Sequence, residues 1–185
     1  MTGVQTCALP ICLCDYEALK NAGCICISDD GRPVENAEMM RKALELSKEN
    51  GLLVASHCED LSIIDGGIMN KGEVSEKLGV KGMDRASEDY ITAREMILAQ
   101  SVDARIHICH VSTKGSTEMI RFAKSQGVKV TCETAPHYFM FTDKLLEKRD
   151  ADYRMNPPLR TDEDVKAIIE GIKDGTIDCT GRLET

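Results

Sequence analysis

The sequence predicts an α/β protein with a parallel sheet, arranged as part of a (β/α)8 barrel. Apolar, β-branched segments alternate with segments of helical periodicity, and no hairpin signal lies between them. Three successive apolar segments end in side chains that can bind metals, namely Asp30, His57 and His110. A doubly wound open sheet also fits the alternation. Metal-binding side chains at consecutive strand ends favour the barrel, because its strand ends converge on one mouth.

Composition is that of an ordinary globular protein. Of the 185 residues, 42% are hydrophobic and 29% are charged. The formal net charge of -8 and the absence of a basic cluster argue against a nucleic-acid-binding surface. No apolar run reaches the ~20 residues that a membrane helix needs. We therefore expect a soluble, cytoplasmic protein that binds neither nucleic acid nor membranes.

The nine cysteines are expected to be free thiols. An odd number cannot pair completely within one chain, and several cysteines lie inside apolar strands, where a thiol packs as a small hydrophobe. No CxxC pair is present, which argues against a thiolate zinc site. This usage is typical of a reducing compartment.

The first residues do not continue into the pattern that follows. Residues 1–11 look like a translated sequencing adapter, so we expect them to be an artefact rather than structure. A signal peptide is the alternative, but these residues lack a basic leading segment and a long apolar core.

The first half of the chain predicts two strands, each preceded by a helix, and a long excursion. A short helix at 15–22 precedes the first strand at 24–28. Apolar residues on one helical face predict a helix at 35–50, which leads through a glycine to the second strand at 52–57. Residues 58–86 are polar and rich in glycine. They are too long for a plain connection, so we expect a functional loop or excursion.

The second half continues the alternation of helices and strands. Ser87 is predicted to cap a helix that runs to residue 100 and buries Ile91, Met96, Ile97 and Leu98. The elements that follow are a third strand ending at His110, a helix at 116–126, a fourth strand at 128–135, a helix from the cap Thr161 to residue 173, and a fifth strand that begins at 175.

Asp30, His57 and His110 are candidate metal ligands. Neutral imidazole nitrogens and carboxylate oxygens are ligands that zinc and manganese accept, and each of these residues ends a predicted strand. His107 lies three residues before His110 on a strand, so the two side chains point to opposite faces. We therefore expect His107 to be structural.

Three further residues near the candidate ligands allow two interpretations each. Glu59 and Asp60 could orient His57 or belong to a solvated loop. His137 follows a proline at a strand end and could line the site or be structural.

Five short motifs together resemble bacterial dihydroorotase, of the class I type, in the amidohydrolase superfamily. They are SDDG at 28–31, ASHCE at 55–59, HICHVSTKGS at 107–116, ETAPH at 133–137 and MNPPLR at 155–160. The motifs stand in family order at family-like spacing. The resemblance implies a (β/α)8 barrel, of which this chain supplies roughly strands four to eight.

The resemblance also implies a site and a reaction. Asp30 would bridge two metal ions, usually zinc, and His57 and His110 would bind the second ion. Asp29 is chemically equivalent, but the spacing to His57 favours Asp30. Asn156 would hydrogen-bond the pyrimidine ring of the substrate. The implied reaction is the reversible closure of N-carbamoyl-L-aspartate to dihydroorotate in pyrimidine biosynthesis, and the implied partners are a second copy or aspartate transcarbamoylase.

The sequence departs from the family pattern at both ends. Leu183 stands where the family's catalytic aspartate is expected, so we predict no catalytic residue in this chain. The His-x-His pair of the family's first strand is absent as well. We therefore expect residues 12–179 to form part of a barrel and residues 180–185 to be a divergent, truncated end. Such a fragment is expected to expose two strand edges and to be inactive alone.

Three alternatives stay open at this point. A hydantoinase or dihydropyrimidinase opens similar cyclic amides, but those enzymes use a bridging lysine and SDDG offers none. A non-catalytic dihydroorotase-like subunit that scaffolds aspartate transcarbamoylase would lack ligands in the same way. A flavodoxin-like domain would carry a glycine-rich phosphate loop after its first strand, and the sequence GRPV at 31–34 is no such loop.

Overall fold

A computed structural model describes residues 13–181, and within this range the chain forms two parallel sheets. The strands are β1 (Cys26–Ser28), β2 (Leu53–Ser56), β3 (Met69–Asn70), β4 (Gly82–Met83), β5 (Ile106–Ile108), β6 (Val130–Thr134) and β7 (Cys179–Thr180). The main sheet has the order β1-β2-β5-β6-β7, and β3 and β4 form a small second sheet. All the strand pairs are parallel. The predicted parallel α/β architecture is confirmed.

Helices connect the strands of the main sheet. They are α1 (Tyr16–Asn21), α2 (Ala37–Asn50), α3 (Leu61–Ile64), α4 (Glu73–Leu78), α5 (Ala86–Ser101), α6 (Lys114–Ser125), α7 (Pro136–Met140) and α8 (Asp162–Lys173). Two 3-10 helices, Asp143–Lys148 and Ala151–Tyr153, lie between α7 and α8. No helix among the described residues is both long and apolar enough to cross a bilayer.

Local capping chemistry fixes where several helices begin and end. The side chain of Asn36 accepts a hydrogen bond from the Met39 N–H and starts α2, and Gly51 ends that helix with a φ of 65°. Thr161 and Asp164 cap α8 reciprocally, as the sequence predicts for Thr161. Capping therefore places these two helices close to their predicted bounds.

The predicted cap of α5 at Ser87 is wrong. The N-cap is Arg85, two residues earlier, and the Ser87 hydroxyl instead hydrogen-bonds the main chain of Asp60. A serine hydroxyl can also bond main-chain groups other than those of a helix N-terminus. Here the connection after β2 supplies such groups.

The core lies between the main sheet and its helices. Strand residues that face the helices, such as Ile106 and Ile108, are buried against Leu44, Ile120 and Ile168. The other face of the sheet carries the half-buried side chains of Cys26, Ala55 and His107. Six cysteines among the described residues are free thiols, namely Cys24, Cys26, Cys58, Cys109, Cys132 and Cys179.

The predicted inward face of α5 is partly wrong. Ile91 and Met96 are buried, and Leu98 packs partly against the core. Ile97, in contrast, is 65% exposed. At ~3.6 residues per turn, Ile97 lies about 160° around the helix from Ala99, which is fully buried, so Ile97 faces away from the core.

The excursion at 58–86 is folded rather than irregular. It contains α3, β3, α4 and β4, and the strands approach so closely that a Cβ on Gly82 would lie 2.4 Å from the Lys71 Cα. The amide of buried Asn70 donates to Asp143 at 2.7 Å. This hydrogen bond fastens the excursion to the segment that follows α7.

Two isoleucines of α5 provide a direct test of this packing. Ile91→Ala should lower the free energy of unfolding by about 2–4 kcal/mol, because Ile91 is 3% exposed and its removal leaves a cavity. Ile97→Ala, on the exposed face of the same helix, should change it by less than about 1 kcal/mol. Urea unfolding of both variants measures the difference. Equal losses would contradict the orientation of α5.

Candidate metal centre

The register of the parallel strands brings the predicted ligands to one edge of the sheet. Ser28 of β1 pairs with Ala55 of β2, and Ser56 pairs with Ile108 of β5. The three strands therefore end at nearly the same level. Each candidate ligand follows within two residues of its strand end. Because so few residues separate each ligand from its strand, all three lie at the same edge of the sheet.

The structure brings Asp30, His57 and His110 together. The Nδ1 atom of His57 lies 2.8 Å from the Nε2 atom of His110. The Oδ1 atom of Asp30 lies 3.4 Å from the former and 3.7 Å from the latter. One potential ligand atom from each residue lies within 4.8 Å of the other two. A single cation could therefore contact all three.

The adjacent aspartates have different surroundings. The Asp29 carboxylate accepts the backbone N–H of His57 at 2.8 Å and that of Val34 at 3.0 Å. Asp30 is 57% exposed and faces the two imidazoles. Asp29 therefore fastens the loop after β1 to the loop after β2, whereas Asp30 is the carboxylate offered to a ligand.

The charges of the cluster favour an ionised carboxylate. The neighbouring His110 imidazole is the main cause that lowers the pKa of Asp30 to about 2, against a smaller opposing effect of burial. Burial lowers the pKa of His57, but the carboxylates of Glu59 and Asp30 outweigh it and raise that pKa above its usual value. Burial raises the pKa of Asp29.

The donor set fits a divalent metal. Two imidazole nitrogens that point at each other over 2.8 Å need a shared proton or cation between them. Two nitrogens and one carboxylate oxygen form a common part of zinc sites. His57 is 3% exposed, so its ring is held in place rather than free to turn toward solvent.

Glu59 orients His57, which the sequence left undecided. Its Oε2 atom lies 3.2 Å from the Nε2 atom of His57, on the ring edge opposite Nδ1. Its Oε1 atom accepts a hydrogen bond from the Asn156 side chain at 2.8 Å. Asp60 instead caps α3 with its side chain. The candidate substrate residue Asn156 is thereby linked to a candidate ligand through Glu59.

The remaining histidines lie outside this trio. The Nδ1 atom of His107 lies 2.8 Å from the Thr131 hydroxyl, and a His107 ligand atom lies within 4.8 Å of Cys109 and Glu133. His137 is buried, and its Nε2 atom has no hydrogen-bond partner among residues 13–181. Burial lowers its pKa to about 4. The His137 ring lies against the Tyr138 ring, with centroids 3.9 Å apart and planes tilted by 59°.

Some predictions fall outside the described residues. They concern residues 1–11 and Leu183, where the sequence predicts an artefact and a missing catalytic aspartate respectively. The described residues include the start of the predicted divergent end, since β7 spans Cys179–Thr180.

Comparison with known proteins gives consistent results. A family model described as dihydro-orotase-like matches residues 11–116. The chain is 55% identical to the dihydroorotase of Geobacter metallireducens over 166 residues, which is 90% of this chain and 39% of that protein. It is 54% identical to the dihydroorotase of Geobacter sulfurreducens, with the same coverage. The chain thus spans about two fifths of the length of these relatives.

Solved structures confirm the predicted partial barrel. The dihydropyrimidinase from Brevibacillus agri superimposes with a TM-score of 0.75 at 25% identity, over 89% of this chain and 38% of that one. A dihydroorotase from Campylobacter jejuni superimposes with a TM-score of 0.63 at 14% identity, over 91% and 48%. Both are barrel enzymes of the amidohydrolase type, matched over only part of their chains.

These matches also bear on the flavodoxin-like and hydantoinase alternatives. An open flavodoxin-like domain is excluded by the barrel neighbours. A hydantoinase or dihydropyrimidinase is not favoured, because those matches have about half the sequence identity of the dihydroorotases. With the family model covering more than half of its residues, the chain belongs to the dihydroorotase-like family.

Proposed function

We propose that the protein is a dihydroorotase, which interconverts N-carbamoyl-L-aspartate and dihydroorotate in pyrimidine biosynthesis in the cytoplasm. The observation that carries the proposal is the convergence of Asp30, His57 and His110, three residues far apart in sequence, within one cation's reach. High identity to dihydroorotases supports the substrate. Residues 12–179 would be the part of the barrel that holds these groups.

The proposed cofactor is zinc, as a pair of ions that Asp30, His57 and His110 would help to hold. The nitrogen and oxygen donors of the trio support zinc over harder cations such as magnesium, which prefer oxygen alone. When bound, the ions supply Lewis acidity that polarises the amide carbonyl and acidifies the attacking water. A second copy or aspartate transcarbamoylase is the proposed partner.

The described residues would hold the ligands ready for this chemistry. The low pKa of Asp30 keeps its carboxylate ionised at neutral pH, so no proton needs to leave before a cation binds. Glu59 faces the Nε2 atom of His57, so in the neutral ring it would favour a proton on Nε2 and leave the Nδ1 lone pair toward Asp30 and His110. Residues of this chain therefore set both the charge and the tautomer of the site.

Asn156 is proposed to bind the substrate ring. Its side-chain N–H donates to Glu59, which leaves its carbonyl oxygen as an acceptor for an N–H of the pyrimidine. The same Glu59 carboxylate contacts His57. This chain of contacts would hold the ring at a fixed position relative to the metal centre.

A pair of histidine variants tests the metal centre. His110→Ala should weaken Co²⁺ or Zn²⁺ binding by more than about 100-fold. Loss of a residue that only orients a ligand costs about 10- to 100-fold in metal affinity, and loss of a direct ligand should cost more. His107→Ala should bind with wild-type affinity, since His107 is predicted to be structural. Isothermal titration of the 185-residue chain measures both affinities. Equal effects of the two variants, or none for His110→Ala, would remove the basis of the site.

The reaction is best tested in a chimera, because the chain spans 39% of its Geobacter metallireducens relative. Residues 13–179 would replace the matching segment of that dihydroorotase. The chimera should turn over dihydroorotate and not dihydrouracil, and Asn156→Ala within it should lower kcat/KM by about 10- to 100-fold, the effect of one lost substrate hydrogen bond.

The unaltered relative serves as the control for the chimera. A chimera that binds metal like its parent but does not turn over dihydroorotate would count against the assignment. Turnover of dihydrouracil instead would favour the hydantoinase alternative. Loss of both metal binding and turnover, with the fold retained, would favour a non-catalytic scaffold.

A further inference from the structure

Helix α5 contacts each of the three loops that carry the candidate ligands. The contacts come from Ser87, Glu88 and Arg94, which lie among the first nine of the 16 residues of that helix. All three use side-chain atoms to bind main-chain groups of the loops. None of the three contacts a ligand side chain in the described hydrogen bonds.

Glu88 holds the loop that follows His110. One oxygen of its buried carboxylate accepts the backbone N–H of Ser112 at 2.9 Å and that of Thr113 at 3.1 Å. The other oxygen accepts the Ser112 hydroxyl. His110 itself has a φ of 38°, a left-handed conformation that costs energy for a residue with a side chain. The contacts of Glu88 begin two residues later, at Ser112.

Ser87 holds the loop that follows His57. Its hydroxyl accepts the backbone N–H of Asp60 at 2.7 Å and donates to the carbonyl oxygen of Asp60 at 3.0 Å. A single buried hydroxyl therefore satisfies both main-chain groups of one loop residue. Between His57 and Asp60 lies Glu59, which orients the His57 ring.

Arg94 holds the loop that follows Asp30. Its guanidinium donates to the carbonyl oxygen of Val34 at 2.7 Å and to that of Glu35 at 3.0 Å. The N–H of Val34 donates to Asp29. Two carbonyl groups of this loop are thus bound to α5, and the Val34 amide is bound to Asp29, the neighbour of Asp30.

Arg160 extends the same framework to the proposed substrate segment. Its guanidinium donates to Glu88 at 3.2 Å and to the Ser112 hydroxyl at 3.0 Å, and both charged groups are about 4% exposed. A buried carboxylate needs such a partner, because an unpaired buried charge is strongly destabilising. Asn156 stands four residues before Arg160.

We propose that Ser87, Glu88 and Arg94 are positioning residues of the metal centre, through which one helix sets the relative positions of all three ligand loops. The inference rests on the metal centre proposed above. Three ligands converge on a cation only if their loops keep a common spacing, and metal–ligand bonds of ~2.0–2.2 Å leave little tolerance. A rigid helix that binds all three loops supplies that spacing.

The test measures Co²⁺ affinity of the full 185-residue chain. Glu88→Gln, Arg94→Met and Ser87→Ala should each weaken binding by about 10- to 100-fold, the usual effect of losing an outer-shell partner. Arg94→Lys should recover part of the loss in Arg94→Met, because lysine can still donate to a carbonyl. Circular dichroism gives the folded fraction, so that each affinity refers to folded protein.

Two control variants carry similar chemistry away from the three loops. Asp178 accepts the Cys132 N–H at 2.8 Å and pairs with Lys124, much as Glu88 accepts main-chain amides and pairs with Arg160. Arg121 of α6 pairs with Asp174, which caps the end of α8. Asp178→Asn and Arg121→Met should bind Co²⁺ with wild-type affinity, even where they lower stability.

The outcomes separate this inference from the proposed function. Folded α5 variants that bind Co²⁺ as tightly as the wild type, with the same visible absorption spectrum, would overturn the positioning role while the metal centre stands. Control variants that weaken binding as much as the α5 variants would also overturn it, since the effect would then be general destabilisation. A wild-type chain without His110-dependent Co²⁺ binding would overturn the metal centre and the positioning role together.

Discussion

The parallel register of β1, β2 and β5 is the constraint on which the site depends. Hydrogen bonds between these strands place their carboxyl ends side by side. Residues just beyond the strand ends are therefore close together. The apolar face of the same strands is buried against α2, α5 and α6. A shift of one residue would exchange the buried and open faces of a strand. Packing of the hydrophobic core fixes the strand register, and the register in turn fixes the positions of Asp30, His57 and His110.

Buried polar groups complete what the register begins. Strand ends bring side chains within several ångströms, but a cation requires tighter agreement. Asp29, Ser87, Glu88 and Arg94 each bind main-chain groups in the loops beyond the strands. Glu88 and Arg160 are both buried and paired, an arrangement that contributes little net stability. Their value lies in the fixed geometry that a hydrogen-bonded pair imposes.

Local sequence patterns predicted the features that depend on nearby residues. The parallel alternation of strands and helices, the cap of α8 at Thr161 and the end of α2 at Gly51 all follow from residues within a few positions. The meeting of Asp30, His57 and His110 was predictable because strand ends can be read from apolar runs. Ser87 and Ile97 were misplaced because a partner distant in sequence and a rotation about the helix axis decided them.

The remaining contacts had no signal in the sequence. Glu88 and Ser112 are separated by 24 residues, and Glu59 and Asn156 by 97. A single sequence shows that each is polar but not which polar group it meets. The folded excursion was equally hidden, because β3 and β4 have only two residues each. Burial of Asn70 and its bond to Asp143 become visible only once the chain is folded.

The most direct test of the central claim is anomalous diffraction at the cobalt edge from crystals of the cobalt-loaded chain. The account predicts an anomalous peak at about 2.0–2.2 Å from an Asp30 carboxylate oxygen, His57 Nδ1 and His110 Nε2. A cation bound elsewhere, with these three side chains uninvolved, would contradict it.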